Sequence, residues 1–317
     1  MNKKSMSQKL SSADKLYAKG ETEAALEKYL DVLLQGEPDA GLYLKIAHCI
    51  KILQEFESAV EYYEKSLELD ADNLETLFNY AESMAELGEH QGAVEIFDQV
   101  IERAAVSGGN IGAIAEARKK KSSSVLLNRA GGALLKQNDL DAAYEKFIKA
   151  IELDPEDRRN YLNIGVIFIN RGDLPAAIEW MGKALAVDPG YIRGYFNLGT
   201  LQLKAGYFRR AIDIFNRALD IEPGHPDCDD IVTNLNKARD ELESAEARLL
   251  SSLRGDQLRV DMGELLDLAN AVFAEPIEAV DVAITQAGDY RMIAHAADGH
   301  YEALLEDGEL VTRKMPG

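Results

Sequence analysis

Cysteine is almost absent from this sequence, and the two cysteines that occur point away from a disulfide framework. Cys49 and Cys228 are far apart and form no Cys-x-x-Cys pair, so their spacing gives no zinc site either. No apolar run approaches the roughly 18 to 20 residues of a membrane-spanning helix, and no apolar stretch of a signal peptide follows Met1–Lys9. We therefore expect a cytoplasmic protein that is neither inserted into a membrane nor exported.

Basic residues are scarce relative to acidic ones. The chain has 35 Lys and Arg against 55 Asp and Glu, which gives a formal net charge of -20 over 317 residues. Such a charge repels the phosphates of nucleic acids and anionic lipids. We expect a protein or peptide partner, and no nucleic acid.

Catalytic motifs are missing as well. The sequence has no Gly-x-Ser-x-Gly, His-Glu-x-x-His or paired Cys and His at motif spacing. The glycine cluster at 108–112 has neither a preceding strand nor the Lys-Ser/Thr pair of a phosphate-binding loop, so it is interpreted as a linker. We predict no enzyme activity, no cofactor and no metal site.

What the sequence does contain is a repeat of 34 residues. Six units follow this period without internal gaps, at 6–39, 40–73, 74–107, 124–157, 158–191 and 192–225. A period of this length is typical of helix-turn-helix repeats that stack on their neighbours.

Small and large residues recur in phase along the units. The eighth position holds Ala13, Ala47, Ala81, Gly131, Gly165 and Gly199, and the twentieth holds Ala25, Ala59, Ala93, Ala143, Ala177 and Ala211. The twenty-fourth position holds Tyr29, Tyr63, Phe97, Phe147, Met181 and Phe215. Small residues let two helices cross closely, and the large ones one turn later fill the space between helices.

The turn between the two helices of a unit carries residues that tolerate left-handed backbone angles. They are Gly20, Gly88, Asn138, Gly172 and Gly206, with Gln54 as the exception. Together with runs such as YEKFIKAIELDPED and AIDIFNRALDIEPG, this pattern resembles the tetratricopeptide-repeat family. The resemblance implies an all-α, right-handed superhelix whose first helices line a concave, ligand-binding groove.

The pattern also predicts the domain organisation. We expect repeats one to three in 1–107, an insertion that extends a helix in 108–123, repeats four to six in 124–225, a capping helix in 226–253 and a small α+β domain in 254–317. The insertion includes four basic residues, Arg118 to Lys121, interpreted as solvated surface in preference to a docking site. The capping helix would bury a stripe from Ile231 to Leu249 and expose acidic residues, among them Glu246.

The C-terminal region predicts a helix at 265–274 and antiparallel hairpins through 278–285, 290–296, 300–305 and 309–314. Asp298-Gly299 and Asp307-Gly308 are the expected turns. Tyr301 and Ala303 would share an apolar face with Leu305 and Leu310. That face needs cover from the helix, the repeats or a second copy of the chain, so a homodimer is one hypothesis.

The opposite face would present His295, His300, Glu302 and Arg313. Metal ligation by His295, His300 and Glu302 is the alternative to solvent exposure here. We favour exposure, because a shift of one residue in the strand register would separate the three side chains.

The resemblance assigns the groove to particular residues. In repeats four to six they are Asn128, Arg129, Lys136, Arg159, Asn163, Asn170, Arg193, Phe196, Asn197 and Lys204. In repeats two and three they are Leu44, Lys45, His48, Lys51, Glu75, Phe78, Asn79, Glu82 and Glu86. The basic strip predicts an acidic or extended peptide ligand, and the two triplets of repeats could hold different ligands.

Some family members grip chaperone tails with Lys and Asn on one first helix and Lys and Arg on a third. Here Asn128 and Gly132 stand where Lys and Asn would, and Arg193 and Asn197 replace Lys and Arg. We therefore expect a non-catalytic scaffold that binds a peptide in its groove without this clamp. The alternative is a regulatory or accessory subunit whose C-terminal domain dimerises or recruits a second partner.

Overall fold

The computed structural model describes residues 3–36, 38–107, 109–254, 260–285, 290–306 and 309–315. The chain forms two compact units, Met1–Pro155 and Glu156–Gly317. In the described ranges no helix combines the length and the apolar character that crossing a membrane requires.

The N-terminal unit consists of four successive helical hairpins. Their helices are α1 (Lys3–Ala18), α2 (Thr22–Leu33), α3 (Ala40–Ile52), α4 (Phe56–Leu69), α5 (Leu74–Glu86), α6 (His90–Ser107), α7 (Ile111–Lys136) and α8 (Leu140–Leu153). Each hairpin packs on the next. Helix α7 starts at Ile111 and continues without a break from the insertion into repeat four. Of the glycine cluster at 108–112, which was interpreted as a linker, Ile111 and Gly112 belong to α7, and Gly108 lies outside the described residues.

The C-terminal unit contains helical hairpins of its own and a sheet. Its elements are α9 (Arg158–Asn170), α10 (Leu174–Val187), α11 (Ile192–Lys204), α12 (Phe208–Ile221), α13 (Cys228–Leu253), α14 (Met262–Val272), β1 (Ile277–Ile284), β2 (Tyr290–Ala296), β3 (Gly299–Glu306) and β4 (Glu309–Lys314). The capping helix is confirmed as α13, which buries every residue of the predicted stripe, namely Ile231, Leu235, Ala238, Leu242, Ala245 and Leu249.

The in-phase columns form the core of both units. All six alanines of the twentieth position have no exposed surface, and the six large residues of the twenty-fourth position are at most 4% exposed. In repeat four a Cβ atom on Gly131 would lie 2.8 Å from the Phe147 ring. The small eighth residue therefore makes room for the large twenty-fourth residue of the same repeat.

The turns inside the repeats follow the predicted backbone pattern, with one addition. Positive φ angles occur at Gly20, Gln54, Gly88, Asn138, Gly172 and Gly206. Gln54, the exception in the sequence, takes the left-handed conformation with a φ of 64°. After the turns, Asp139 and Asp173 cap the next helices by accepting hydrogen bonds from backbone N–H groups three residues later.

The C-terminal region shares its core with the capping helix. Leu249 and Leu253 of α13 lie in one buried cluster with Leu265 of α14 and Met292 of β2. Arg209 of α12 adds a polar anchor, because its Nε donates to the carbonyl oxygen of Val272 at 2.7 Å. The apolar face of the sheet is thus covered within the chain, by α13 and α14.

Helix α14 lies earlier in the sequence than predicted. It begins at Met262 because the Asp261 carboxylate accepts a hydrogen bond from the Glu264 N–H at 2.8 Å and caps the helix. It ends at Val272, and Phe273 is already extended.

The four strands form an antiparallel meander in the order β1-β2-β3-β4. The first predicted turn is wrong by one residue, because Ala296 pairs with Gly299 and the turn residues are Ala297 and Asp298. Gly299 is a strand residue with a φ of 143°, which side chains rarely allow. The second predicted turn, Asp307-Gly308, lies outside the described residues, as does the side chain of Leu305.

Candidate functional site

Three of the ten predicted groove residues lie on α7 in the N-terminal unit. Arg129 donates a hydrogen bond from Nη1 to the carbonyl oxygen of Gly88 at 3.1 Å, so its guanidinium braces the turn between α5 and α6. Lys136 is exposed in the last turn of α7, and Asn128 is half-buried.

The other seven residues lie on α9 and α11 of the C-terminal unit, where the two helices present the same polar pattern. Arg159, Asn163 and Asn170 are spaced by four and seven residues on α9, and Arg193, Asn197 and Lys204 repeat this spacing 34 residues later on α11. Such spacings place each set of three on one face of its helix. We call these six residues the α9/α11 strip. Phe196 adds a half-buried ring next to Asn197.

Both arginines of the strip hold carboxylates of the same unit. Arg159 binds Asp157 in a bidentate manner, with both nitrogen–oxygen distances at 2.8 Å. Arg193 donates from Nε to Asp227 at 3.3 Å, and this hydrogen bond is the main reason why the pKa of Arg193 is raised. The sequence did not indicate that the strip is internally paired.

The asparagines of the strip differ from the arginines. In the described part of the chain, the side-chain amides of Asn163 and Asn197 make no hydrogen bond, and Asn197 is exposed. An amide group offers donors and an acceptor together, which suits the backbone of an extended peptide.

The N-terminal unit has a second polar row, which connects α3, α5 and α7. Lys51 donates to Asn79 at 2.9 Å and to Glu82 at 2.6 Å. Glu82 also pairs with Arg118 at 2.8 Å, and Lys119 pairs with Asp98 at 2.7 Å. Two members of the basic run, which was predicted to be solvated surface, thus form ion pairs across helices.

His48 lies beside this row, with 18% of its side chain exposed. Burial lowers its pKa, opposed by the charge of Glu75 and assisted by that of Lys51. Nε2 of His48 is 3.9 Å from Glu75, and the His48 ring meets the edge of Tyr63 with centroids 5.9 Å apart.

The polar face of the sheet does not bring His295, His300 and Glu302 together, as the metal-binding alternative required. Glu302 does not meet the histidines, because Arg291 at 2.7 Å and Arg313 at 2.5 Å hold its two carboxylate oxygens. His295 instead contacts His300 and Asp281. The one-residue shift of the turn makes His295 and His300 direct cross-strand partners.

Glu246, which was predicted to be a solvated acidic side chain, also has a structural partner. Glu246 of the capping helix accepts a hydrogen bond from Arg209 at 2.7 Å. The same guanidinium contacts Val272, so Glu246 helps to hold the C-terminal region on the repeats.

Comparison with protein families identifies the repeats. Tetratricopeptide-repeat models match residues 53–108, 128–192 and 192–225. These ranges contain the helices α4 to α6 and α8 to α12. The chain is a tetratricopeptide-repeat protein.

Among curated proteins, the Hsp70-Hsp90 organizing protein of Triticum aestivum and the Hsp70-Hsp90 organizing protein 3 of Arabidopsis thaliana are each 32% identical over 102 residues. The aligned part is 31% of this chain and 16% and 17% of those proteins. The chain thus spans about a sixth of the length of the curated relatives it matches.

Solved structures with similar repeats are more distant in sequence. The TPR2AB domain of yeast Sti1, in a complex with pHSP90, is 17% identical with a TM-score of 0.35, covering 75% of this chain and 100% of that one. MamA from Desulfovibrio magneticus RS-1 is 24% identical with a TM-score of 0.36, covering 59% and 97%. Neither likeness bears on what this chain binds.

Proposed function

We propose that this chain is a non-catalytic adaptor that binds an extended, acidic segment of another protein on the α9/α11 strip. The observation that carries the proposal is the repetition of arginine and asparagine, Arg159 with Asn163 and Arg193 with Asn197, on two first helices of successive repeats. In this arrangement the asparagines hold the ligand backbone and the arginines hold its carboxylates.

The existing ion pairs are compatible with this role. The side chains of Arg159 and Arg193 are 59% and 65% exposed, whereas those of Asp157 and Asp227 are 8% and 19% exposed, so the arginines reach solvent while their carboxylate partners stay largely covered. A guanidinium offers five N–H donors, so a carboxylate of the ligand can bind beside Asp157 or Asp227 without displacing it. The helices themselves stay fixed, because Leu162 of α9 packs against the core that contains Tyr195 of α11.

The proposal extends to the rest of the chain. Residues 254–317 act as a separate functional element, although they share a core with α13. The two free cysteines favour the reducing cytoplasm as the place where the protein works. Lys51, Asn79 and Glu82 in the N-terminal unit offer a surface of mixed charge for a different ligand.

Affinity capture from the native cell tests the α9/α11 strip. The double variant Arg159→Glu/Arg193→Glu should lose most of the captured partner, while its circular dichroism at 222 nm stays that of the wild type. The matched control is Lys237→Glu/Arg239→Glu, which makes the same charge change on exposed positions of α13. Equal capture by the wild type and the strip variant would contradict the proposal.

A second variant separates the two kinds of contact. Asn163→Ala/Asn197→Ala leaves every charge in place and should weaken capture by at least tenfold if the amides hold the ligand backbone. Titration of a synthetic peptide from the captured partner, followed by fluorescence anisotropy, gives this number.

A further inference from the structure

Three side chains on the polar face of the sheet meet in a row across three strands. The Oδ2 atom of Asp281 on β1 lies 2.9 Å from Nε2 of His295 on β2. On its other side, the Nδ1 atom of His295 lies 2.9 Å from Nδ1 of His300 on β3. Their rings stand nearly perpendicular, at 80°. Neither the repeats nor the proposed ligand strip explains this row.

We propose that His295 and His300 form a binding site for a divalent transition-metal ion, with copper(II) preferred, held between their two Nδ1 atoms. Imidazole nitrogens bind such ions at about 2.0 to 2.1 Å. Two nitrogens at that distance, about 90° apart around one ion, are separated by about 2.9 Å. The separation in the hairpin matches this value, and right angles are typical of the tetragonal geometry of copper(II).

Asp281 supports the site without touching the ion. When its carboxylate accepts the Nε2–H of His295, the proton of the neutral ring is fixed on Nε2 and the lone pair remains on Nδ1. This is the arrangement of a carboxylate that orients a metal-ligating histidine. On binding, the ion takes the place of the proton that His300 carries on Nδ1, and the His300 ring carries its proton on Nε2 instead, so both rings stay neutral and no net proton is released.

The two imidazoles are the ligands that the protein supplies to this site. Glu302 is held by Arg291 and Arg313, and in the described residues no three His, Cys, Asp or Glu side chains converge on one point. Water completes the coordination, and 31% of the His295 side chain is exposed, so an ion reaches it directly.

Titration of the full-length chain with copper(II) at pH 7.4 tests the site, with electron paramagnetic resonance to identify the ligands and calorimetry in the presence of glycine to measure affinity. We expect one strongly bound ion per chain with hyperfine coupling to two nitrogens. His295→Gln and His300→Gln should each lower the affinity at least tenfold. Asp281→Asn should lower it about 10- to 100-fold.

The control is His225→Gln, which removes another half-buried histidine of the same unit and should leave copper binding unchanged. Glutamine keeps a polar side chain on the strand, so circular dichroism of the His300→Gln variant distinguishes loss of a ligand from loss of the sheet. Equal affinity of the wild type and a folded His295→Gln/His300→Gln variant would overturn the proposal. A stoichiometry of one ion per two chains would overturn it as well.

Discussion

Gly199 on α11 lies directly against the ring of Phe215 on α12: a Cβ atom on Gly199 would be 2.5 Å from Cε1 of that ring. This distance is shorter than a van der Waals contact, and both residues are completely or almost completely buried. The glycine is therefore required by packing, although a glycine inside a helix costs about 1 kcal/mol in helix propensity.

Substitution of this glycine tests the close crossing of the two helices. Gly199→Ala should destabilise the C-terminal unit by about 1 to 2 kcal/mol, because overpacking costs about 1 to 3 kcal/mol and exceeds the gain in helix propensity. Gly182→Ala is the matched control, since nothing lies within 4 Å of its Cβ position on α10, and it should stabilise by roughly 0.5 to 1 kcal/mol. Urea unfolding followed by Trp180, the single tryptophan of the chain, measures both.

Contacts of this kind could be predicted from the sequence because they lie inside one repeat and recur in repeats four to six. Gly199 and Phe215 are the eighth and twenty-fourth positions of the same unit, so their phase reveals the contact. The bond from Arg209 to Val272, which spans 63 residues, has no repeat to reveal it. The sequence consequently predicted that the apolar face of the sheet is covered, but it did not distinguish between the helix, the repeats and a second copy of the chain as the cover.

The helices that carry the candidate site were predictable for the same reason. Helical spacing placed Arg159 and Arg193 on first helices, but it did not reveal that Asp157 and Asp227 pair with them. Asp157 is the N-cap of α9 and its pairing depends on side-chain rotamers. The hairpin register was missed because Gly299 is used inside the strand and not in the turn.

Gln54 offers a test of backbone strain in the N-terminal unit. It has a φ of 64°, whereas Gly20 and Gly88 take the equivalent turns at 79° and 83°. A side-chain-bearing residue in this region costs about 1 to 2 kcal/mol, partly offset by the greater freedom of glycine in the unfolded chain. Gln54→Gly should therefore stabilise the unit by about 0.5 to 1 kcal/mol.

Thermal unfolding monitored by circular dichroism gives the size of this effect. Asn138→Gly is the control, because asparagine tolerates positive φ better than glutamine, and Asn138 has a φ of 61°. Its gain should be smaller. A loss of stability in Gln54→Gly would mean that the glutamine side chain makes contacts that outweigh the strain.

His48 should make the stability of the N-terminal unit depend on pH. Burial lowers the pKa of its ring below the unfolded value, opposed by Glu75 and assisted by Lys51. Between the two pKa values the unfolded chain binds more protons than the folded one, so its stability falls as the pH falls below about 6.5. Above that pH the ring is neutral in both states, and the folded chain keeps the full stability that the neutral His48 allows.

The measurement is the urea midpoint of the N-terminal unit at pH values from 7.5 to 5.5. Circular dichroism reports unfolding of both units, whereas Trp180 fluorescence reports only the C-terminal unit, so the circular dichroism change without a matching fluorescence change belongs to the N-terminal unit. His48→Gln removes the ionisable ring from this buried position and should flatten the slope below pH 6.5. If the wild type and His48→Gln showed the same slope, other groups would account for the pH dependence.

Leu249 tests whether the sheet and the repeats form one cooperative structure. It is fully buried in the cluster shared by α13, α14 and the sheet. Leu249→Ala should cost about 2 to 5 kcal/mol, since it leaves a cavity in that cluster. Val232→Ala removes a side chain that is 40% exposed on the same helix and should change stability by no more than about 0.5 kcal/mol.

Trp180 lies on α10, outside the cluster of Leu249, so its fluorescence reports whether the damage spreads into the repeats. If the Trp180 transition shows the whole loss of unfolding free energy caused by Leu249→Ala, the sheet, α14 and the last repeats unfold together. Removal of residues 255–317 would then expose the apolar stripe of α13 and create a new association surface. The homodimer hypothesis must for that reason be tested by substitutions on the polar face of the sheet in the full-length chain. An unshifted Trp180 transition would mean that the last repeats do not depend on the sheet, and a chain without residues 255–317 could then be used for the same test.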